Sequence, residues 1–462
     1  MSIIYDIIKS WNTLDNTVNS LEKIKKWISN RNEQLKVVVK PIDFSYDGFW
    51  HYDQEDGYIR NNNNSFFQLA GYQEIEDDQI IKEQPVIIQD EIGYLGILCK
   101  KIDGVLYFLM QAKIEPGNIN TIQVSPTLQA TKSNFTRKHG GKMPLYLEIF
   151  SNITDDELVV DQIQSEQSSR FFKKRNRNMI VYTDKEIEVK DSHMWMTLGQ
   201  IKELMKVDNL VNMDTRTVLS CIPFSDLDYE DSEKEDIYNM FRDKALYNSI
   251  FNSKDSKVMH SIFNDLNDYK MYNQEFSRLI PLKSLKNWSM GKKEIACKTA
   301  YDFKVIYCRI EIEEREVKYW EQPLIAANGK AVLGLFTCVD DECRKFLVRI
   351  TQEIGCFDVA EVGPTIQMEP TNKKNKLDCV ERLFFELAEI NKGVIKDVLL
   401  SEEGGRFYHE ENRNIIINIE KNDIGECPEN YYWVDYYTLN KMIQFNNCVN
   451  IQLRNLLSLV DL

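Results

Sequence analysis

The sequence predicts an α/β (α+β) protein built from two related modules, each with mixed sheets and flanking helices. Three observations predict this fold. Segments recur at a fixed spacing, since Gln84 and Gln322, like Gly96 and Gly334, lie 238 residues apart. In both copies, short apolar runs typical of buried strands alternate with polar turns. Both copies also close with apolar residues at helical spacing. A repeat of this length indicates a tandem duplication rather than a short-period solenoid.

The first copy begins with a predicted helix and continues with predicted strands. Residues 1–39 carry apolar side chains at three- and four-residue spacing, which predicts a helix. Residues 66–75 and 105–110 are apolar runs that predict strands. A later apolar strand is predicted at residues 179–182 and again, in the second copy, at residues 415–419.

Predicted helices close both copies and fill the segment between them. The closing helices are expected over residues 198–210 and 439–448. Between the copies, residues 226–236 form an acidic run that we interpret as a solvated face. Helices predicted at residues 235–251 and 258–269 join the modules or build a subunit interface.

These patterns divide the chain into three parts. At 462 residues the chain is too long for one ordinary core. We expect a first module with its leading helix at residues 1–221, a helical and acidic linker at 222–290, and a second module at 291–462.

Composition excludes several classes of function. The net charge of −15 argues against nucleic-acid binding, because phosphate contacts need clustered Lys and Arg. The cysteines lack a CxxC pair and the histidines lack zinc-site spacing, so we expect free thiols and no metal. No GxGxxG or P-loop indicates a nucleotide cofactor, and we expect none. Without a secretory signal or a long apolar run, the expected location is the cytoplasm, away from the membrane.

A polar segment at residues 123–136 lies between two apolar runs, where binding groups are often found. Its pattern returns at residues 362–367. Two interpretations of the repeated polar residues stay open. They form a buried polar network that ties each module together, or they line a pocket for a phosphate-bearing ligand. These residues are Gln129, Glu166, Arg170 and Asn178, repeated as Gln367, Glu402, Arg406 and Asn414.

The first copy holds more groups suited to acid–base chemistry than the second. The second copy has Thr351, Cys356, Gly363 and Glu369 where the first has Lys113, Asn118, Ser125 and Thr131. His139 titrates near neutrality and could shuttle a proton, or it is a surface-loop histidine. Glu115 could act as a base or cap a turn, and the second copy keeps its equivalent, Glu353.

Several motifs carry a family resemblance. They are QP at residues 84–85, LMQAKIEPGN at 109–118, QVSPTLQATKSNFT at 123–136, YLE at 146–148, QSEQ at 164–167, NRNM at 176–179 and SEEGGRF at 401–407. These motifs closely resemble the NDP-hexose 2,3-dehydratases, and the resemblance runs over most of the chain. It implies a Nudix-type α/β module in each half and a homodimer. The Nudix metal signature is missing from both halves, which disfavours pyrophosphate hydrolysis.

The resemblance also implies a reaction. The expected substrate is dTDP-4-keto-6-deoxy-D-glucose, from which a base removes the C3 proton and the C2 hydroxyl leaves. The product is a dTDP-3,4-diketo-2,6-dideoxyhexose in deoxysugar biosynthesis, with a possible hand-off to a 3-ketoreductase or aminotransferase. One alternative is a non-catalytic sugar-nucleotide-binding protein of the same pathway. A Nudix-type hydrolase is another, and EDTA would separate it from a dehydratase.

The site residues are expected in three groups, and the sequence leaves open which module holds the active site. The acid–base pair is expected among Glu115, His139, Glu148 and Glu166. The substrate-binding group is Lys113, Asn118, Ser125, Thr127, Gln129, Thr131, Asn134, Arg170 and Asn178. A second nucleotide site is expected at Thr365, Gln367, Glu402 and Arg406.

Overall fold

The structure, a computed structural model, describes residues 2–45, 48–131, 143–225, 228–253, 256–273, 276–313, 317–372 and 377–462. In this described part the chain is a mixed α/β protein with four sheets, each of which contains parallel and antiparallel strand pairs. The predicted α/β class with mixed sheets is therefore confirmed.

The strands and helices are numbered in chain order. The strands of the first half are β1 (Val37–Pro41), β2 (Trp50–Tyr52), β3 (Ile59–Asn61), β4 (Gln68–Glu76), β5 (Gln79–Ile88), β6 (Gly93–Ile102), β7 (Val105–Ile114), β8 (Ile122–Ser125), β9 (Leu128–Ala130), β10 (Leu158–Ser165), β11 (Phe171–Phe172), β12 (Arg175–Tyr182) and β13 (His193–Met196). The later strands are β14 (Phe276–Ile280), β15 (Trp288–Met290), β16 (Glu294–Cys297), β17 (Phe303–Ile312), β18 (Tyr319–Ala327), β19 (Val332–Asp340), β20 (Cys343–Gln352), β21 (Ala360–Pro364), β22 (Ile366–Met368), β23 (Val394–Ser401), β24 (Phe407–Tyr408), β25 (Glu411–Asn418) and β26 (Tyr431–Asp435). The α-helices are α1 (Ile3–Asn12), α2 (Leu21–Gln34), α3 (Leu147–Ser151), α4 (Leu198–Met205), α5 (Met213–Ser220), α6 (Lys234–Met240), α7 (Lys244–Tyr247), α8 (Ser256–Tyr272), α9 (Cys379–Glu389), α10 (Tyr436–Ile443) and α11 (Ile451–Ser458).

Two sheets have the same strand order. One runs β10-β12-β6-β7-β13, with β8 paired to β7 and β9 paired to β6. The other runs β23-β25-β19-β20-β26, with β21 paired to β20 and β22 paired to β19. The repeat in the sequence thus corresponds to two sheets of equal topology.

The two remaining sheets exchange a strand. Strand β1, near the start of the chain, pairs with β17, with Val39 opposite Ile310. Strand β14, within the predicted linker, pairs with β4, with Arg278 opposite Gln73. Each of these sheets therefore contains a strand from the other half, and the two halves are interlocked.

The prediction of one helix across residues 1–39 is wrong. The segment forms α1, α2 and β1 instead. The first helix ends at Asn12, and Asn16 adopts a left-handed conformation with φ of 53°. Ser20 then caps the second helix by accepting the Lys23 N–H. The β-branched run at residues 37–39 extends as a strand, as its side-chain type favours.

Most other predicted elements are confirmed, although the helix predicted over residues 235–251 is interrupted at residues 241–243. The predicted strands correspond to β4, β7, β12 and β25, and the predicted helices to α4, α6 with α7, α8 and α10. Helices α5 and α11 were not predicted. Every residue of both helices is buried, so neither shows the alternation of apolar and polar faces that marks a surface helix.

Helices α5 and α11 pack together at the centre of the molecule, and each carries a fully buried arginine. Arg216 of α5 donates to the carbonyl of Ser401, 2.6 Å away in the second half. Arg454 of α11 donates in the same way to the carbonyl of Ser165 in the first half. These charge-assisted hydrogen bonds tie each central helix to the opposite half.

Each half also docks a loop onto a glycine turn of the other. The Gly117 N–H donates to the Gly404 carbonyl, and the Gly355 N–H donates to the Ser168 carbonyl, both at 2.7 Å. A Cβ atom at Gly117 or Gly355 would lie 1.6 Å from the carbonyl oxygen of Phe407 or Phe171. Only glycine fits this backbone approach.

Gly355→Ala should destabilise the protein, because its methyl group cannot fit without separating the halves. Overpacking of this kind costs about 1–3 kcal/mol, and a backbone clash this close places the variant at about 3 kcal/mol or more. Urea unfolding measures the loss. Gly291→Ala is the control, since the nearest atom to its Cβ lies 3.3 Å away. Equal stability of the two variants would contradict the close docking.

Glu361→Gln should stabilise the protein at pH 8 and have little effect at pH 4.5. Burial raises the pKa of Glu361 from 4.5 to about 7, while Ser165 donates to its carboxylate at 3.0 Å. The folded state therefore keeps the proton longer than the unfolded chain, and wild-type stability falls as pH rises from about 4.5 to about 7. The amide does not titrate, so the advantage of the variant grows by about 3 kcal/mol in urea unfolding. A difference independent of pH would contradict this assignment.

Candidate active site

A cavity of about 650 Å³ lies where the two halves meet. Strands β6, β7 and β9 of the first half form one wall. The loop before β24 in the second half forms another and contributes Glu403, Gly405 and Arg406. The polar or charged side chains that line the cavity include Arg31, Lys113, Glu115, Gln129, Thr131, Glu166, Lys174, Asp214, Lys318, Glu403 and Arg406.

Glu115 lies just past the end of β7 and is followed by Pro116 and Gly117. Its Oε1 atom accepts a hydrogen bond from Gln129 Nε2 at 3.0 Å and lies 3.2 Å from Lys113 Nζ. Only 4% of the Glu115 side chain is exposed to solvent. An ammonium and an amide donor both favour the ionised carboxylate, so this group is suited to accept a proton.

Two further glutamates lie in the same cavity. Burial and the neighbouring Glu115 raise the pKa of Glu403 to about 7, and the Gly405 N–H donates to its carboxylate at 3.1 Å. Burial also raises the pKa of Glu166, which accepts a hydrogen bond from Asn176 at 2.7 Å. With a pKa of about 7, Glu403 can hold a proton near neutral pH, as general acids do, and the pKa of Glu166 is shifted in the same direction.

Asp214 is a further carboxyl group of the cavity and lies in the first turn of α5. It is 1% exposed, and neither carboxyl oxygen has a hydrogen-bond partner among the described residues. Burial and the nearby Glu166, Glu403 and Glu115 raise its pKa well above the ordinary value.

The cavity also holds cations. The Arg406 guanidinium stacks on the rings of Phe66 and Phe67, 4.2 and 4.4 Å from their centroids, and donates to Gln89 at 2.9 Å. Burial lowers the pKa of Lys174 to about 8, although Glu166 acts in the opposite direction. Arginine and lysine side chains at such a site can bind phosphate oxygens.

The residues predicted from sequence separate into several groups. The large cavity brings together Lys113, Glu115, Thr127, Gln129, Thr131, Glu166 and Arg406. The Thr127 hydroxyl is engaged with backbone atoms of β6 and β7. Outside the described residues lie Asn134 and His139.

Apart from Arg170, four of the residues predicted in the first half lie away from this cavity. Asn118 and Asn178 donate to backbone carbonyls, and Ser125 accepts a hydrogen bond from Asn212 at 2.8 Å. All three are buried in structural contacts. Glu148 is exposed and lines a separate surface cavity.

Arg170 lies in the second half's equivalent of the large cavity, which measures only about 20 Å³. It forms a salt bridge to Glu369 at 3.0 Å and lies 3.8 Å from Glu410. Gln367 and Glu402 also line this small cavity, whereas Arg406 lines the large one. The Thr365 hydroxyl is engaged with backbone atoms, as in Thr127. The four residues predicted as a second nucleotide site therefore do not share one cavity.

Sequence reasoning missed several ionisable residues of the large cavity, among them Arg31 and Lys318. It also missed Lys174, Asp214 and Glu403, whose counterparts across the repeat are Glu410, Gln452 and Gln167. This exchange of charge between copies was visible in the sequence. Its functional significance could not be inferred, because spacing alone does not show that Glu403 and Arg406 line a cavity of the opposite half.

Comparison with known proteins agrees with this organisation. A sequence model of the NDP-hexose 2,3-dehydratases matches the chain twice, over residues 21–222 and 259–460. The chain belongs to the NDP-hexose 2,3-dehydratase family. The two matches begin 238 residues apart, which is the spacing of the internal repeat. The resemblance inferred from the motifs is thus confirmed.

Three similar proteins share the name dTDP-4-dehydro-6-deoxy-alpha-D-glucopyranose 2,3-dehydratase. The one from Saccharopolyspora spinosa is 35% identical over 437 residues, which cover 94% of this chain and 89% of that protein. The one from Streptomyces violaceoruber is 36% identical over 416 residues, covering 89% and 90%. The one from Amycolatopsis orientalis is 33% identical over 465 residues, covering 97% and 92%.

Two further features of this family member concern metals and membranes. Across the described ranges, no three His, Cys, Asp or Glu side chains gather in a way that could hold a metal ion. Among the helices that the structure describes, none has the length and apolar character needed to cross a membrane.

Proposed function

We propose that this chain catalyses the 2,3-dehydration of dTDP-4-keto-6-deoxy-D-glucose. The main observation behind this proposal is the 650 Å³ cavity. It combines a carboxylate paired with a lysine, Glu115 with Lys113, with protonatable carboxyl groups and cations. A cavity of this size suits a nucleotide-linked sugar. The names of the three similar proteins support the same substrate.

The large cavity is the proposed active site, and its small counterpart is not. In the large cavity Glu115 has Lys113 beside it, whereas Glu353 of the second half is held by Gln367 and Gln452 at 2.7 and 3.1 Å. Burial raises the pKa of Glu353 to about 8, so it is a poor carboxylate base at neutral pH. The Arg170–Glu369 salt bridge lines the small cavity, whose volume of about 20 Å³ is too small for a sugar nucleotide.

Glu115 is the proposed base. The C4 ketone acidifies the C3 hydrogen, and the Glu115 carboxylate takes that proton while the electron pair moves to the ketone oxygen as an enolate. The C2–O bond then breaks and the hydroxyl leaves as water after protonation. The remaining enol shifts a proton from its oxygen to C2, which gives the 3,4-diketo-2,6-dideoxy sugar. One water molecule is the net loss.

Cations complete the proposed site. Lys113 lies within the Glu115 network and is available to stabilise the enolate oxygen, an effect worth about 2.7–4 kcal/mol per donor in comparable sites. Arg406, Lys174, Arg31 and Lys318 line the same cavity and are suited to the diphosphate. Because Arg406 comes from the opposite half, the proposed site needs both halves.

Several further expectations from the sequence are kept as part of the proposal. Each half is proposed to be a Nudix-like module within a homodimer that works in the cytoplasm without a cofactor. The reactive diketo product is proposed to pass to a downstream 3-ketoreductase or aminotransferase. The repeated sheet topology supports the two-module description.

The reaction is tested by incubating purified protein with dTDP-4-keto-6-deoxyglucose and EDTA in D₂O, followed by NMR. We expect loss of the C2 hydroxyl, with deuterium at C2 of the product or, through exchange, at C3 of the remaining substrate. An unchanged sugar with saturable dTDP binding would favour the non-catalytic binding protein. Cleavage of the diphosphate without EDTA would favour a hydrolase.

Glu115→Gln should abolish turnover, while the matched Glu353→Gln should not. General acid–base groups contribute about 10²–10⁴-fold, so kcat should fall by that factor in the first variant alone. The two substitutions are isosteric and lie at equivalent positions of the internal repeat, which makes each a folding control for the other. Equal loss of kcat in both variants would contradict the choice of cavity.

A further inference from the structure

Asp214 stands out because its carboxyl group is buried, lines the cavity and has no hydrogen-bond partner in the described chain. Leaving a buried polar group without a partner is unfavourable, so such a group in a native structure calls for an explanation, and a catalytic role is one. Asn212, two residues earlier, caps the same helix by accepting the Thr215 N–H at 2.9 Å. The helix therefore has its cap without Asp214.

The internal repeat locates Asp214 relative to the base. Its counterpart Gln452 donates a hydrogen bond to Glu353 at 3.1 Å, and Glu353 is the counterpart of Glu115. In the first half, Glu115 is among the carboxylates whose charge acts on Asp214. The position that holds a non-titrating amide in the small cavity thus holds an acid in the large one.

We propose that Asp214 is the general acid that protonates the departing C2 hydroxyl. The assignment rests on the proposed function. As the C2–O bond breaks, the Asp214 proton passes to the leaving oxygen, and water departs. The enol O–H proton then restores Asp214, and the proton held by Glu115 passes to C2. Both carboxyl groups return to their starting states.

The charged groups around Asp214 are consistent with a stored proton. Glu166, Glu403 and Glu115 disfavour its ionisation, Lys113 favours it, and burial acts with the three glutamates. Arg216, on the same helix, donates to the Ser401 carbonyl and also attracts the ionised form of Asp214, so it acts with Lys113. A second negative charge beside an ionised Glu115 is unfavourable, so the two carboxyl groups are suited to opposite roles as acid and base.

Asp214→Asn separates proton donation from proton abstraction. The amide keeps the shape of the side chain but has no proton to transfer. We expect kcat for dehydration to fall by about 10²–10⁴-fold. Exchange of the C3 hydrogen with D₂O should continue, because Glu115 is intact. Release of fluoride from dTDP-4-keto-2,6-dideoxy-2-fluoroglucose should also continue, because fluoride leaves without full protonation.

Three controls define the outcome. Glu115→Gln should lose both exchange and fluoride release, Asp214→Glu should recover part of the dehydration, and Gln452→Asn should leave all three rates unchanged. Thermal melting checks that each variant is folded. The assignment is overturned if Asp214→Asn still dehydrates the natural substrate, or if a folded Asp214→Asn loses all three reactions. A wild-type protein that releases no water overturns the proposed function as well.

Discussion

The structure depends on a backbone contact that is made twice, between a glycine turn of one half and a loop of the other. At Gly117 and Gly355 the approach is too close for any side chain. This contact fixes the loop that carries Glu403 and Arg406 against the strand end that carries Glu115. The exchanged strands β1 and β14 and the buried Arg216 and Arg454 maintain the same arrangement. A site shared by both halves follows from this interlocking.

The two equivalent cavities have one backbone design and different side chains. Where the two cavities differ, the large one carries Lys174, Asp214 and Glu403, whereas the small one carries Glu410, Gln452 and Gln167. The small cavity also contains the Arg170–Glu369 salt bridge. In this ion pair the buried Arg170 is neutralised by the partly buried Glu369, which leaves less positive charge for an anionic ligand. Duplication therefore accounts for the scaffold, and divergence at a few positions accounts for the chemistry.

The α/β class, most strands and the cluster around Glu115 could be predicted from sequence, because alternating apolar runs and the internal repeat report them directly. Helices α5 and α11 could not be predicted from the sequence, since both are buried on all sides and lack an amphipathic period. Arg406 and Arg170 have the same local motif, and only the three-dimensional exchange between halves shows that each faces the opposite cavity. Glu148 follows an apolar run in the sequence, yet it lies on an exposed helix face.

The most direct test of a site shared by the two halves is a crystal structure of the Glu115→Gln variant with dTDP-4-keto-6-deoxyglucose bound. The account predicts that the sugar lies between residue 115 and Glu403, with the diphosphate on Arg406. A sugar bound instead between Arg170 and Gln367, in the small cavity, would contradict it.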